Sequence, residues 1–487
     1  MPESLNSVAT DQDILESRTV VALLERVRRA VTVDDESRVT VEDANKLRHG
    51  GIDALVLAAV FGADDNEKDT ARWLIGELGQ QLGIRPASIH DLYMARGRGE
   101  VSGFTVPAIN IRASSYETAR AMFGAAVELQ VGALICEIAR SEIGYTDQRP
   151  AEYVAVMTAA AIKEGWTGPL FIQGDHFQVN AKKYATDADA ELRSVRDLIR
   201  EAIHAGFYNI DVDTSTLVDL SKDGIAAQQE TNYSLSAELT AFIRHLEPEG
   251  VTVSVGGEIG EVGTENSTPE ELRGYMDGYR RELKSQLAGL SKISVQSGTS
   301  HGGVVLPDGS IAEVAIDLDT LQRLSHIARE EYQLAGAVQH GASTLPEEAF
   351  GRFPEIETAE IHLATGFQNI LFDHPSLPDE LRERMYDHIR KEFAGERGSN
   401  DTEEQFIYKT RKKALGEFKR ELWELPQSAR AEIRQTLRDK FAFLFQQLGV
   451  SDTAETVRRH VSPTDRLHGG PSAVRIKAAA DDWDLSD

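Results

Sequence analysis

The chain has a single cysteine, Cys136, among 487 residues. No intrachain disulfide can form, and a thiolate metal cluster within one chain is excluded. Cys136 sits in the apolar run GALICEIA and is expected to be a small core residue. Positive charge is scarce as well: 52 Lys and Arg stand against 79 Asp and Glu, a formal net charge of −27. Nucleic acid and anionic membranes both need a cationic face, so neither is expected as a partner. Long apolar runs are missing, since ALVLAAVFGA, beginning at Ala54, is far too short to span a bilayer. The opening MPESLNSVATDQDILES has no basic stretch followed by an apolar one, so no signal peptide is expected and the expected location is the cytoplasm. What remains is ordinary soluble composition, 41% hydrophobic and 27% charged. At this length it predicts one large domain with smaller pieces attached.

Up to about Arg98 the pattern is helical, as in VALLERVRRAV and ARWLIGELGQQLG, and strand alternation is absent. From Gly103 the texture changes to short apolar runs, each followed by a polar or glycine cluster and an amphipathic helix. The strand candidates are FTVPAINI, ALICEIA, PLFIQGDH, YNIDVDTS, VTVSVGGEIG, KISVQSGTSHG, AGAVQHGAS and AEIHLATG. Eight strands alternating with helices predict an α/β fold of the closed (β/α)8 TIM-barrel type. An open doubly wound sheet would carry a glycine-rich phosphate fingerprint after its first strand, and AINIRASS has none. After Phe393, GERGSNDTEEQ reads as a linker. The predicted organisation is a helical N-terminal extension over 1–98, the barrel over 99–393, and a helical C-terminal extension with a loose acidic tail over 394–487.

In such a barrel the chemistry lies at the C-terminal ends of the strands. Strand three ends in Asp175 and His176, and strand four in Asp211, Asp213 and Ser215. Strand five ends in Glu258, strand six in GTSHG with His301, strand seven in QHGAS with His340, and strand eight in His362 and Thr365. Imidazoles and a carboxylate from separate strands can converge on one divalent cation, and nitrogen with oxygen ligands suits zinc. Asp211 and Asp213 also fit a helix-capping role. Arg112, Arg140, Lys182 and Lys183 can add local positive charge or stand as solvated surface.

Taken together, GDH, VDTS, GEIG, GTSHGG, HGAS with a following proline, and ATGFQN resemble the class II fructose-bisphosphate and tagatose-bisphosphate aldolases. VPAIN at strand one agrees, and the likeness runs in order from about Phe104 to Asn369. The resemblance implies that His176, His301 and His340 hold a catalytic Zn2+, with Glu258 the carboxylate used when the ion shifts position; a monovalent cation is a second ion left open. It implies that Asp175 exchanges a proton with the C4 hydroxyl, and that a loop glutamate, Glu265 by spacing with Glu261 the competitor, handles the enediolate carbon. Gly302, Gly341, Ser343 and Thr365 would hold phosphate. Asn110 and Asp213 would orient the sugar chain, with Ser215 beside them among the substrate contacts. The implied partner is a phosphorylated sugar, and a homo-oligomer is expected.

Three positions depart from the family pattern: Thr344 for a glycine, His362 for an asparagine and Gly366 for an acidic residue. They surround the phosphate and sugar contacts, not the metal, and so bear on the substrate more than on the reaction. The helical segments before Arg98 and after Phe393 are expected outside the family's usual chain. Three readings follow. The first is a zinc-dependent aldolase acting on fructose 1,6-bisphosphate, with tagatose bisphosphate or another phosphoketose behind it. The second is a non-catalytic regulatory or structural barrel that keeps the metal. The third, a metal-dependent hydrolase, is disfavoured because strand one lacks a His-x-His pair.

Overall fold

The structure is a computed structural model that describes residues 22–33, 38–259, 265–298, 305–307 and 316–465. Eight parallel strands carry the fold: β1 (Val106–Asn110), β2 (Ile135–Ala139), β3 (Gly168–Gln178), β4 (Asn209–Asp213), β5 (Ser254–Glu258), β6 (Lys292–Val295), β7 (Ala337–Gln339) and β8 (Glu360–Leu363). Each pairs with the next, and β8 returns to β1 with Ile361 opposite Pro107, so the sheet closes into a barrel. Seven fall inside the expected apolar runs, and β3 overruns PLFIQGDH by one residue at its start and two at its end. Those runs are short and rich in Val, Ile and Ala, and the long amphipathic segments between them are covering helices, as a parallel barrel requires.

The helices start and stop where local chemistry says they should. Thr268 and Glu271 form a reciprocal capping box ahead of Pro269–Glu282, with proline at the first helical position. Asp187 caps Ala188–Ala205, which ends on Gly206 in a left-handed conformation. No helix among the described residues is long and apolar enough to cross a membrane.

The segment before Arg98 differs from its all-helical reading. Val31–Val33 and Val39–Val41 pair antiparallel, and Ile84–Ala87 lies parallel to the first half of β3. The sequence disguises that strand because it is four residues long and contains Pro86, a residue tolerated only at a sheet margin. It occupies the position beside β3 that β4 is too short to reach, and Asn209 ties the two together by accepting from Ile89 N at 2.9 Å. The C-terminal helix Gln427–Gln447 packs on the barrel helix Ser115–Glu128. There Arg430 and Arg434 pair with the buried Glu117, and Phe441 lies on Phe367, ring centroids 4.6 Å apart.

Candidate active site

Adjacent strand residues point to opposite faces, so Asp175 and His176 cannot both reach the mouth from a regular strand. The sequence suggests a strand that breaks into loop at Gly174. The structure solves the problem differently: β3 continues to Gln178 and carries a bulge. Gly174 faces Ile210 and Phe177 faces Val212, one residue more on β3 than on β4. His176 takes up the difference with φ of +41°, the left-handed region that non-glycine residues avoid. Gly174 permits the turn, since a Cβ there would lie 2.5 Å from the Phe177 ring.

Around the bulge the expected side chains converge. His176 Nε2 lies 3.1 Å from His340 Nδ1, and its Nδ1 lies 3.1 Å from Asp213 Oδ2 and 3.4 Å from Glu258 Oε2. His176, Glu258 and His340 each present a ligand atom within 4.8 Å of the others, a set that can hold a metal ion. His340 is steadied by Ser294, whose Oγ lies 3.0 Å from Nε2. Burial alone would depress the His176 imidazolium, but the charges of Asp175 and Glu258 outweigh it and hold its pKa well above the usual value. Burial, together with the charge of Asp213, pushes Glu258 up to about 7. A pocket that raises both groups is one that lacks positive charge, and a divalent cation fits it. His301 and Gly302 lie outside the described residues, as does Glu261.

The remaining expected residues separate into groups. Asp213 accepts from Ser215 N at 3.0 Å and from Ser215 Oγ at 2.6 Å, so it caps the turn after β4 as well as facing His176. Asn110 Nδ2 donates to Glu142 Oε2 at 2.5 Å. Gly341 is left-handed with φ of 69°, and Ser343 follows in a single 3-10 turn over Ala342–Thr344. Thr365 opens the helix Thr365–Asp373 and accepts from Arg112 Nη2 at 3.3 Å. Glu265 is exposed in a bend at the edge of the described residues.

One layer deeper lies a charged network that motif reading missed. Lys292 is fully buried on β6 and reaches Asp211 Oδ1 at 2.9 Å, Gln173 Oε1 at 2.8 Å and Glu360. Asp211 therefore works inside the barrel and not as a helix cap. His362 lies above this layer, with Nδ1 2.9 Å from Glu137 Oε2 and 3.3 Å from Asp175 Oδ1, and Nε2 2.8 Å from Glu360 Oε1. Burial and the charge of Asp175 push Glu137 up to about 7. Strand alternation was the available signal: Glu360 and His362, and Asp211 and Asp213, occupy alternate positions of strands whose inward face is usually apolar.

Comparison with known proteins agrees with this geometry. The chain matches the family described as fructose-bisphosphate aldolase class-II over residues 98–443. A (β/α)8 barrel of that family, with side chains at its rim that could hold a metal ion, is the class the fold and the site define. The chain belongs to the class II fructose-bisphosphate aldolase family. The match continues past Phe393, so the C-terminal helical segment expected outside the family's chain lies partly within it. No curated protein matches the sequence. Among solved structures, the fructuronate-tagaturonate epimerase UxaE from Cohnella laeviribosi shares 11% identity at a TM-score of 0.51, covering 87% of this chain and 90% of its own. A probable tagatose 6 phosphate kinase from Sinorhizobium meliloti shares 18% identity at 0.50, covering 76% and 96%. A Campylobacter jejuni fructose-bisphosphate aldolase shares 14% at 0.45, covering 76% and 97%. At these identities the first two bear on the fold alone.

Proposed function

We propose that the protein is a zinc-dependent aldolase that reversibly cleaves a ketose bisphosphate, with fructose 1,6-bisphosphate the leading substrate, into dihydroxyacetone phosphate and an aldehyde phosphate. The observation that carries the reading is the meeting of His176, Glu258 and His340 from three strand ends. Asp175 stands beside them, with Oδ1 3.7 Å from His176 Nε2. His301 is the proposed third imidazole. A divalent cation held there would supply Lewis-acid polarisation of the ketose carbonyl.

The chain's own residues do the rest. Asp175 takes the proton of the C4 hydroxyl as the C3–C4 bond breaks, and the bonding pair moves toward the carbonyl to give an enediolate. The enediolate carbon then takes a proton, for which Glu265 is the proposed donor. Asp213 holds the His176 ring through Nδ1 and so fixes which nitrogen faces the metal position. Ser343 and Thr365 are proposed to bind phosphate at the start of a helix, where backbone N–H groups favour anions.

A second reading has one observation in its favour. His362 replaces a family asparagine and lies 3.3 Å from Asp175, which places two proton-exchanging groups together at the C4 end. Cleavage followed by re-addition of the retained aldehyde to its other face would make the protein a 4-epimerase. A coupled assay for triose phosphate release, run with and without chelator, separates the readings. Release that chelator abolishes is the expected result. Conversion to a C4 epimer without free triose would favour the second reading, and bound metal with neither product would favour the non-catalytic one.

A further inference from the structure

On the outside of the barrel lies a cavity of about 400 Å3, a size typical of small-molecule pockets, which run from about 300 to 1,000 Å3. No strand end contributes to its lining. Its walls are the helix Ile52–Phe61 of the N-terminal segment, the barrel helices Ser115–Glu128 and Pro150–Glu164, and the C-terminal helix Gln427–Gln447 with Trp423 just before it. Both extensions therefore meet the barrel around one hollow.

Its polar lining is rich in arginine, in a chain whose net charge is −27. Arg120 reaches Glu117 at 3.1 Å, Arg430 reaches it at 3.4 Å, and Arg434 pairs with it as well. Glu117 is buried, so three guanidinium groups share the two oxygens of one carboxylate. Arg120 has a second partner in Glu164 at 2.8 Å, and Lys163 pairs with Asp53 at 2.6 Å. The four lining cations thus have three carboxylates between them. Arg430 Nε is buried and has no hydrogen-bond partner among the described residues, a state that is costly unless a donor is met from outside. Much of the remaining lining is apolar. Leu57 is exposed there, and the Tyr116 and Trp423 rings stack with centroids 5.9 Å apart and planes 12° from parallel.

We propose that this cavity is a second ligand site, separate from the barrel mouth, and that it binds a small organic phosphate. The guanidinium forks of Arg120, Arg430 and Arg434 take the phosphate, and Leu57, Tyr116 and Trp423 meet the apolar part of the molecule. A phosphate monoester offers three acceptor oxygens, which three forks can share where one carboxylate offers too few. The inference does not rest on the aldolase reading, and its test needs no turnover. Phenyl phosphate and inorganic phosphate serve as probes, each titrated into the full-length protein by calorimetry and by tryptophan fluorescence. Wild-type protein is expected to bind phenyl phosphate more tightly than inorganic phosphate. Arg430→Gln and Arg434→Gln should each weaken it about ten- to a hundredfold, the loss of one hydrogen bond between charged groups. Arg438→Gln is the control: Arg438 lies one turn further along the same helix, pairs with Glu128 at 2.9 Å and does not line the cavity. It should bind as wild type does. Glu117→Gln removes the competing charge and should tighten binding, which a merely structural defect would not do. The fluorescence change on binding should vanish in Trp423→Phe, a readout that stands even where a glutamine variant fails to fold. No binding of phenyl phosphate by wild type, unchanged affinity in both arginine variants, or a fluorescence change that persists in Trp423→Phe overturns the site. Inorganic phosphate bound as tightly as phenyl phosphate overturns the organic occupant.

Discussion

His176 Nε2 and His340 Nδ1 face one another at 3.1 Å although 164 residues of chain separate them. Two imidazoles bound about 2.0–2.1 Å from a tetrahedral zinc have their nitrogens about 3.4 Å apart. The observed separation is close to that and is also the length of an N–H···N hydrogen bond between neutral imidazoles, so metal content is the measurement that discriminates. His340→Ala should therefore lower metal content, measured by elemental analysis, from about one ion per chain to near zero. Triose phosphate release should fall about a hundredfold or more, since disturbing only the partners of ligands already costs about ten- to a hundredfold. Full metal content in the variant would remove His340 from the site.

Gly174 is where the strand-three bulge is allowed to form. An added methyl would meet the Phe177 ring at 2.5 Å, and Phe177 is fully buried. Gly174→Ala is expected to destabilise the protein by about 1–3 kcal/mol, the usual cost of overpacking, and to lower metal affinity by displacing His176. Adding Phe177→Leu should return part of the stability. Urea unfolding of the three proteins checks this, and an unaffected Gly174→Ala would show that the ring has room to shift.

The barrel was legible because its signal is periodic and repeated. Eight apolar runs between amphipathic helices leave few alternatives, and each of the eight barrel strands coincides with one of those runs, β3 overrunning its own at both ends. The candidate metal set was legible because His176, Glu258 and His340 each lie at or near the C-terminal end of a barrel strand, which in a closed barrel brings them to one rim. The strand Ile84–Ala87 was not legible, because four residues with a proline carry no alternation to detect. The bulge was hidden for a different reason. It depends on how β3 registers against β4, and nothing within LFIQGDHFQV states that register. Lys292 and Glu137 were missed because KISV and ICEIA read as core strands with one tolerated charge. Only closure of the sheet shows that those charges point inward, where Lys292 meets Asp211 and Glu360 and Glu137 meets His362.

Glu137 gives the barrel a pH dependence that can be read by difference. Burial and the charge of Asp175 raise its pKa from 4.5 to about 7, against the opposing charge of His362. Between those values the unfolded chain has released the proton and the folded chain keeps it. The unfolded state then binds fewer protons, so this contribution to stability falls as pH rises through the window. In Glu137→Gln the contribution is absent. After chelation, urea unfolding from about pH 5 to pH 8 should show wild type losing stability relative to the variant as pH rises. Parallel curves would mean that Glu137 is ionised throughout.

Lys292 holds the floor of the site together. Its ammonium is fully buried and reaches Asp211, Gln173 and Glu360, while Glu360 also accepts from Tyr93 and from Gln173 Nε2 at 3.0 Å. Gly256 makes the space: a Cβ there would lie 2.2 Å from Asp211 Oδ1 and 2.8 Å from Lys292 Cε. Lys292→Met keeps the length of the side chain but leaves two buried carboxylates without their cation, which costs about 3–5 kcal/mol. Neutralising those acids in the triple variant Lys292→Met, Asp211→Asn, Glu360→Gln should recover much of that loss, because the penalty lies in the unpaired charge and not in the missing bond. Denaturant unfolding of wild type, single and triple variants measures both steps. If the single variant were as stable as wild type, the carboxylates would already be protonated, and the ammonium would not be what balances the barrel.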